Sequence, residues 1–158
     1  MKQQPTIWIA GAALTALAVF VATAGGHQNA LQPGSDQPSS QQTDRLDAAR
    51  NIVAAVNAKN SKQYVRDLAD EVVVSMYQGA VRLRGKNAVQ DNRANHFRNY
   101  PEARNVLIHL VAIDNRVIMH DQVWLTAEQK DPADIVEVFT FENGKIARID
   151  VIQPADLF

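Results

Sequence analysis

The sequence has no cysteine, which excludes disulfide bonds, thiolate nucleophiles and cysteine-based zinc sites. It also lacks an excess of either charge: 16 Lys and Arg residues are balanced by 17 Asp and Glu residues, a net charge of −1. Because there is no basic run and no RNA-binding aromatic motif, nucleic-acid binding is not expected. The 158 residues, 46% hydrophobic and 21% charged, suffice for one globular domain with an ordinary core.

The first 24 residues have the layout of a secretory signal peptide. Lys2 provides a positive start, residues 7–24 are apolar and uncharged, and Ala22-Thr23-Ala24 has the form of a cleavage site. A retained membrane anchor is the alternative, because about 18 apolar residues span roughly 27 Å, just short of the hydrocarbon core. In both cases the folded part is expected outside the cytoplasm, periplasmic or secreted, with membrane contact only if the segment is retained.

A flexible linker is predicted over residues 25–42, which are rich in Gln, Ser, Pro and Gly and cannot bury enough apolar surface to offset ordering entropy. The folded domain is then expected over residues 43–158. Helical spacing of apolar residues predicts one helix capped by Thr43 and a shorter one capped by Ser61. A β-branched run over 72–77 predicts the first strand, and residues 79–85 predict a turn or a short hairpin.

A third helix is predicted over residues 86–99, and its apolar side includes Arg93. Two interpretations of this arginine remain open. Its stem packs on the core while the guanidinium reaches solvent, as long cationic side chains often do. Alternatively, Arg93 points into a cavity and meets a carboxylate there.

Most of the strand-like sequence lies between Arg104 and Val151. Apolar runs flank Asp114-Asn115 and Asn143-Gly144, which are two-residue turns typical of antiparallel hairpins, so four antiparallel strands are predicted here. In the first hairpin, such a turn pairs Ile113 with Arg116 and His109 with His120.

Alternation along this first hairpin defines two faces. One is apolar except for a single carboxylate and is expected to turn towards the helices. The other is mixed and is expected to be half exposed or covered by another subunit. The inward set is Val106, Ile108, Leu110, Ala112, Val117, Met119, Asp121, Val123 and Leu125. The outward set is Leu107, His109, Val111, Ile113, Ile118, His120, Gln122 and Trp124.

Asp121 is the main candidate for chemistry, because a carboxylate on a helix-facing apolar surface is costly unless it is paired or lines a cavity. Burial raises a carboxyl pKa towards neutrality, which a general acid or base near pH 7 requires. The alternative is a structural aspartate satisfied by Arg93 or by backbone donors. A register different by one residue would place Asp121 outside.

Glu137 is a second candidate, because it shares a strand face with two phenylalanines. In the last strand, alternation predicts that one set faces inward, with Gln153 near the end of a pocket. That set is Ala147, Ile149, Val151 and Gln153, and the outward set is Ile146, Arg148, Asp150 and Ile152. His109 and His120 lie on adjacent strands, but no third ligand is evident, so no metal site is predicted.

Three helices followed by long antiparallel strands resemble the SnoaL-like domains of the nuclear transport factor 2 superfamily. The resemblance covers about Thr43 to Gln153, and its most specific pieces are residues 69–71, 85–89, 117–121 and 139–146. It implies an α+β fold, a cone-shaped barrel in which three N-terminal helices pack on a curved, mainly antiparallel sheet around an apolar pocket. Many members dimerise through the outer sheet face, so a homodimer is expected, with Trp124, Gln122 and His120 on that face.

The superfamily includes ketosteroid isomerases, polyketide cyclases, dehydratases and members that only bind ligands or proteins. The isomerase pattern fails here: Ile52 stands where those enzymes have a tyrosine donor, and Met76 where they have the general-base aspartate. Glu137 stands where they have a protonated aspartate. Classical ketosteroid isomerisation is therefore not expected. Polyketide cyclases, which use a strand carboxylate as acid or base, resemble the chain more, and some bacterial SnoaL-like proteins share the acid that follows His120.

The favoured interpretation is an exported domain in which Asp121 and Glu137 catalyse cofactor-free isomerisation, cyclisation or dehydration of a small hydrophobic carbonyl compound. The residues expected to contact substrate are Arg93, Met76, Phe97, Met119, Phe139 and Gln153. A non-catalytic module for a small hydrophobic ligand and a dimeric interaction domain are the alternatives. An enzyme needs a cavity of about 300 Å³ or more lined by Asp121. A binding module would instead hold its carboxylates in ion pairs.

Overall fold

The computed structural model describes residues 39–154 of the chain. The predicted signal peptide or anchor, the linker up to residue 38 and residues 155–158 lie outside this range. Within residues 39–154, no helix is both long and apolar enough to cross a membrane. Export therefore stays a prediction from the N-terminal sequence.

The described residues form three helices and one six-stranded sheet. The helices are α1 (Ser40–Asn57), α2 (Ser61–Tyr64) and α3 (Lys86–Asn99). The strands are β1 (Leu68–Met76), β2 (Val81–Arg84), β3 (Arg104–Ile113), β4 (Arg116–Trp124), β5 (Ala133–Glu142) and β6 (Lys145–Ile152). Their order is β2-β1-β6-β5-β4-β3, antiparallel except where β1 lies beside β6. The predicted α+β arrangement of helices on a mainly antiparallel sheet is confirmed.

Capping side chains set the helix starts. The Ser39 hydroxyl accepts a hydrogen bond from the Gln42 amide, so α1 begins at Ser40, earlier than the predicted Thr43. The Asn60 side chain, rather than Ser61, caps α2 by accepting from the Gln63 amide. The third helix has its predicted bounds.

The hydrophobic core lies between the helices and the inner face of the sheet. Helix α1 buries an apolar side that includes Ala49, Ile52 and Val56, and α3 adds Val89 and Phe97. The sheet supplies the other wall of this core, from Leu68, Val72, Val117, Met119, Phe139, Phe141, Ile146 and Ile149. Burial of these side chains is what holds the helices against the strands, since each contributes about 1.5–3 kcal/mol.

A β-bulge at Ile108 reverses the faces of the first half of β3. His109 pairs with His120 as predicted, but the next pair is Leu107 with Asp121, which leaves Ile108 without a partner. Val106 and Ile108 are therefore exposed rather than inward, and Leu107 packs against the core rather than facing outward. The predicted faces of these three residues are wrong.

A second bulge, at Ala147, has the same effect on β6. Phe141 pairs with Ile146 and Thr140 with Arg148, so Ala147 is left unpaired. Ile146 is consequently buried instead of outward, and Ala147 joins Arg148 in lining a small outer groove. Beyond the bulge the predicted alternation holds, and Ile149 is buried as expected.

The outer face of β3, an edge strand, carries exposed apolar side chains. Val106, Ile108, Val111 and Ile113 are between 40% and 53% exposed. Unpaired apolar edges favour association with another chain. The expected homodimer through the outer sheet face stays a prediction.

Candidate functional site

A cavity of about 740 Å³ lies between the helices and the inner face of the sheet. Five of the residues predicted for the site line it together: Met76, Arg93, Asp121, Glu137 and Gln153. They come from β1, α3, β4, β5 and the residue that follows β6. The cavity exceeds the volume that an enzyme of this kind requires.

Phe97, Met119 and Phe139 do not line this cavity, which corrects the prediction that they contact a substrate. Phe97 is 7% exposed, and Met119 and Phe139 are fully buried. All three pack within the hydrophobic core, in the same cluster as Ile52 and Val53 of α1. These three residues were predicted to line the cavity only because the sequence pattern directs them inward. An inward direction does not distinguish a core residue from a residue of the cavity wall.

Asp121 is 1% exposed and only half satisfied. Asn105 Nδ2 donates a hydrogen bond to its Oδ2, whereas Oδ1 is buried and has no hydrogen-bond partner in the part of the chain that the structure describes. Burial raises the pKa of Asp121 from 3.8 to about 6, although the Asn105 hydrogen bond and the nearby His120 lower it. The carboxylate is thus oriented through one oxygen, and the other is left without a partner.

Asn105 is the functional residue that the sequence did not reveal. Strict alternation places it on the outer face with Leu107, but the bulge at Ile108 turns it inward to line the cavity. Two backbone hydrogen bonds with the Asn57 side chain, of 2.9 and 2.8 Å, fix its position. Because residues 106–108 are all apolar, no polar residue in the sequence marks the bulge.

Glu137 lies beside Asp121 on the inner face. The register pairs Met119 with Glu137 and Asp121 with Ile135, so the two carboxyl groups are diagonal neighbours on adjacent strands. Burial, and then the charge of Asp121, raises the pKa of Glu137 from 4.5 to about 8, while Arg93 lowers it. At pH 7 Glu137 therefore keeps its proton and Asp121 is mostly ionised.

Arg93 lines the cavity, as one of its two interpretations required, but it forms no ion pair among the described residues. Its guanidinium carbon lies 5.3 Å from the centre of the buried Tyr64 ring, a cation–π contact. Nη2 donates to Asn92 Oδ1 at 3.1 Å, and Nε is buried with no partner among these described residues.

The cavity wall near Arg93 is polar but uncharged on α3. Asn92, Asn95, His96 and Asn99 line it there. Burial, followed by the charges of Arg93 and Lys59, lowers the pKa of His96 from 6.5 to about 4. His96 is therefore neutral at pH 7.

Residues 39–154 contain no group of three or more His, Asp or Glu side chains arranged to hold a metal ion. His109 and His120 face each other on the outer side, with their Nδ1 atoms 3.2 Å apart, and His120 Nε2 lies 2.9 Å from Asp134 Oδ1. The cavity instead offers a carboxylate, a protonated carboxyl and an arginine. This set can move a proton without a cofactor.

Comparison with protein families and solved structures agrees with this fold. The sequence profile of the SnoaL-like domain matches residues 49–149. No curated protein matches the chain.

Solved structures share the architecture at low sequence identity. An uncharacterized cystatin fold protein from Novosphingobium aromaticivorans is 26% identical, with a TM-score of 0.63, over 68% of this chain and 97% of that one. A protein from Kribbella flavida, provisionally named a ketosteroid isomerase, is 14% identical, with a TM-score of 0.61, over 75% and 83%. A protein from a Jannaschia species, provisionally named a SnoaL-like polyketide cyclase, is 10% identical, with a TM-score of 0.63, over 75% and 91%.

Proposed function

The chain belongs to the SnoaL-like domain family, and from the geometry of its cavity we propose that it catalyses cofactor-independent proton transfer on a small, mainly apolar carbonyl compound. Asp121 is the general base and Glu137 the general acid. The observation that carries this proposal is the buried, unpartnered Oδ1 of Asp121 beside a second carboxyl group on one cavity wall. Fold alone does not decide function, because this fold supports several activities.

The chemical step uses the two carboxyl groups in opposite protonation states. Asp121 Oδ1 takes a proton from the carbon next to the substrate carbonyl. The C–H electron pair forms a C=C bond, and the carbonyl π pair moves to the oxygen to give an enolate. Glu137 donates its carboxyl proton in a hydrogen bond to that oxygen. Return of the proton to another carbon completes an isomerisation. Attack of the enolate on a second carbonyl closes a ring, and the new alkoxide takes the proton that Asp121 has accepted. In a dehydration, the same proton goes to the β-hydroxyl, which leaves as water while the C=C bond forms.

Different environments support these separate roles. Asp121 has the Asn105 donor, which favours its ionised form, whereas Glu137 has no hydrogen bond or ion pair within the described residues. Two acidic groups whose pKa values are driven apart are suited to act as base and acid at one pH. The pair therefore needs no external cofactor for proton transfer.

The alternative of a pure binding module receives less support. Such a module was expected to hold its carboxylates in ion pairs, yet among residues 39–154 neither Asp121 nor Glu137 has one. The proposal retains the exported location predicted from residues 1–24.

Proton exchange in deuterated water tests this function. The full chain is incubated with a panel of small enolisable ketones, such as indanone and tetralone, and loss of the α-proton signal is followed by NMR. Wild type is expected to exceed the buffer rate, and Asp121→Asn to lower that excess by about 10²- to 10⁴-fold. The matched control Asp134→Asn, on the exposed outer face, keeps the wild-type rate. Exchange at the buffer rate across the panel, or equal rates in wild type and Asp121→Asn, contradicts the proposal.

A further inference from the structure

We propose that Arg93 forms an anion-binding subsite in the cavity, and that the substrate carries a carboxylate remote from its reacting carbonyl. That the bound anion belongs to a substrate rests on the proposed function. The anion subsite itself rests only on the surroundings of Arg93.

The Nε–H group of Arg93 is a buried donor without an acceptor among residues 39–154. Leaving such a group unsatisfied is unfavourable, and more so when it is charged. Within residues 39–154, the guanidinium has one hydrogen bond, to Asn92, its neighbour on the same helix. A bound acceptor in the cavity that Arg93 lines would give the guanidinium the anionic partner that no residue in 39–154 provides.

The charges that line the cavity are unbalanced. Arg82 and Arg93 contribute two positive charges, while Asp121 contributes one negative charge at pH 7 and Glu137 is neutral. The α3 side of the cavity adds only amide groups and a neutral imidazole. A ligand with one negative charge would make the site electrically neutral.

Tyr64 prepares Arg93 for such a ligand. Contact with the buried ring, at 5.3 Å, limits the orientations of the planar guanidinium. A guanidinium held in one orientation offers two parallel N–H groups that match a carboxylate or phosphate geometrically. A carboxylate is the favoured partner here, since one negative charge suffices for balance.

Anion binding would also act on the acid. Because the charge of Arg93 lowers the pKa of Glu137, a carboxylate that neutralises Arg93 raises it. Glu137 would then hold its proton more firmly when the ligand is bound. The subsite would thus anchor one end of the substrate and keep Glu137, the proton donor, protonated.

Calorimetric titration of the full chain with benzoylpropionate and with its neutral amide tests the subsite. Wild type is expected to bind the carboxylate about tenfold or more tighter than the amide, which corresponds to one charge-assisted hydrogen bond. Arg93→Gln should remove this preference. Arg84→Gln is the matched control, because Arg84 is an exposed arginine of β2 that does not line the cavity, and it should retain the preference. Arg93→Lys, which keeps the charge but not Nε–H, should retain part of it.

Three results overturn the subsite: equal binding of the two compounds by wild type, an unchanged preference in both Arg93 variants, or no binding of the carboxylate at millimolar concentration. The titration involves no turnover, so it separates the two proposals. Carboxylate preference without any proton exchange would support the subsite and remove the catalytic role. Proton exchange on neutral ketones without a preference for the carboxylate would support the catalytic role and remove the subsite.

Discussion

Two polar clusters of opposite character lie on the two faces of β4, around the adjacent residues His120 and Asp121. On the outer face, His120 bonds to Asp134 and to His109, and Gln122 also donates to Asp134. These partners lower the pKa of Asp134, with the His120 hydrogen bond as the largest cause. On the inner face, the described residues give Asp121 one side-chain donor and leave its Oδ1 without a partner, and burial raises its pKa.

The difference lies in whether each acid has partners for its charged form. Asp134 is exposed and hydrogen-bonded, so its ionised form is favoured. On the inner face Asp121 is buried and Glu137 half-buried, and neither has a full set of hydrogen-bond partners within residues 39–154, a feature typical of functional sites. The outer cluster therefore looks structural, and the inner cluster is the candidate site.

The largest effect is expected from the Glu137→Gln variant. The pKa of Glu137 is raised in the folded state, so the folded chain keeps a proton between about pH 4.5 and 8 that the unfolded chain has lost. The stability that this Glu137 proton contributes is therefore fully present below pH 4.5. It is lost as pH rises to 8, by up to about 1.4 kcal/mol per pH unit. Glu137→Gln removes the contribution of Glu137, and the difference from wild type is clearest between about pH 6 and 8, above the raised pKa of Asp121, as measured by urea unfolding at a series of pH values.

Glu142→Gln is the control for that slope, because Glu142 ends the same strand and is exposed. Its pH dependence should follow wild type. If Glu137→Gln and wild type show parallel curves instead, the inner face does not hold a proton above pH 4.5, and its contrast with the outer face disappears.

A smaller effect is expected from Asn105→Leu. Loss of the hydrogen bond to Oδ2 removes the main influence that lowers the pKa of Asp121, so this pKa should rise by about one unit. Carboxyl-carbon NMR of Asp121 measures the change. Gln122→Leu, which deletes an amide from the outer cluster, should leave Asp121 unchanged. Equal shifts in the two variants would show that Asn105 has no special role.

Much of the fold followed from local patterns. The bounds of α3, the pairing of Ile113 with Arg116 and the inward direction of Asp121 were predicted from spacing and turn residues, and the structure confirms them. These features depend on short-range geometry, namely the helical period and a two-residue turn.

The bulges account for what alternation could not predict. A run such as residues 106–108 is apolar on every residue, so either face can be buried without a change in hydrophobic pattern. Only the three-dimensional pairing shows that Ile108 is extra and that Asn105 turns towards Asp121. Alternation also did not predict the bulge at Ala147. The bulge at Ile108 explains why Asn105, the donor that orients Asp121, was missed.

The most direct test of the central claim is the carboxyl-carbon NMR titration of Glu137 and Asp121 in the wild-type chain. The account predicts that Glu137 titrates near pH 8 and Asp121 near pH 6, so that one proton is held on the inner face at neutral pH. Titration of both groups near their ordinary values of 4.5 and 3.8 would contradict it.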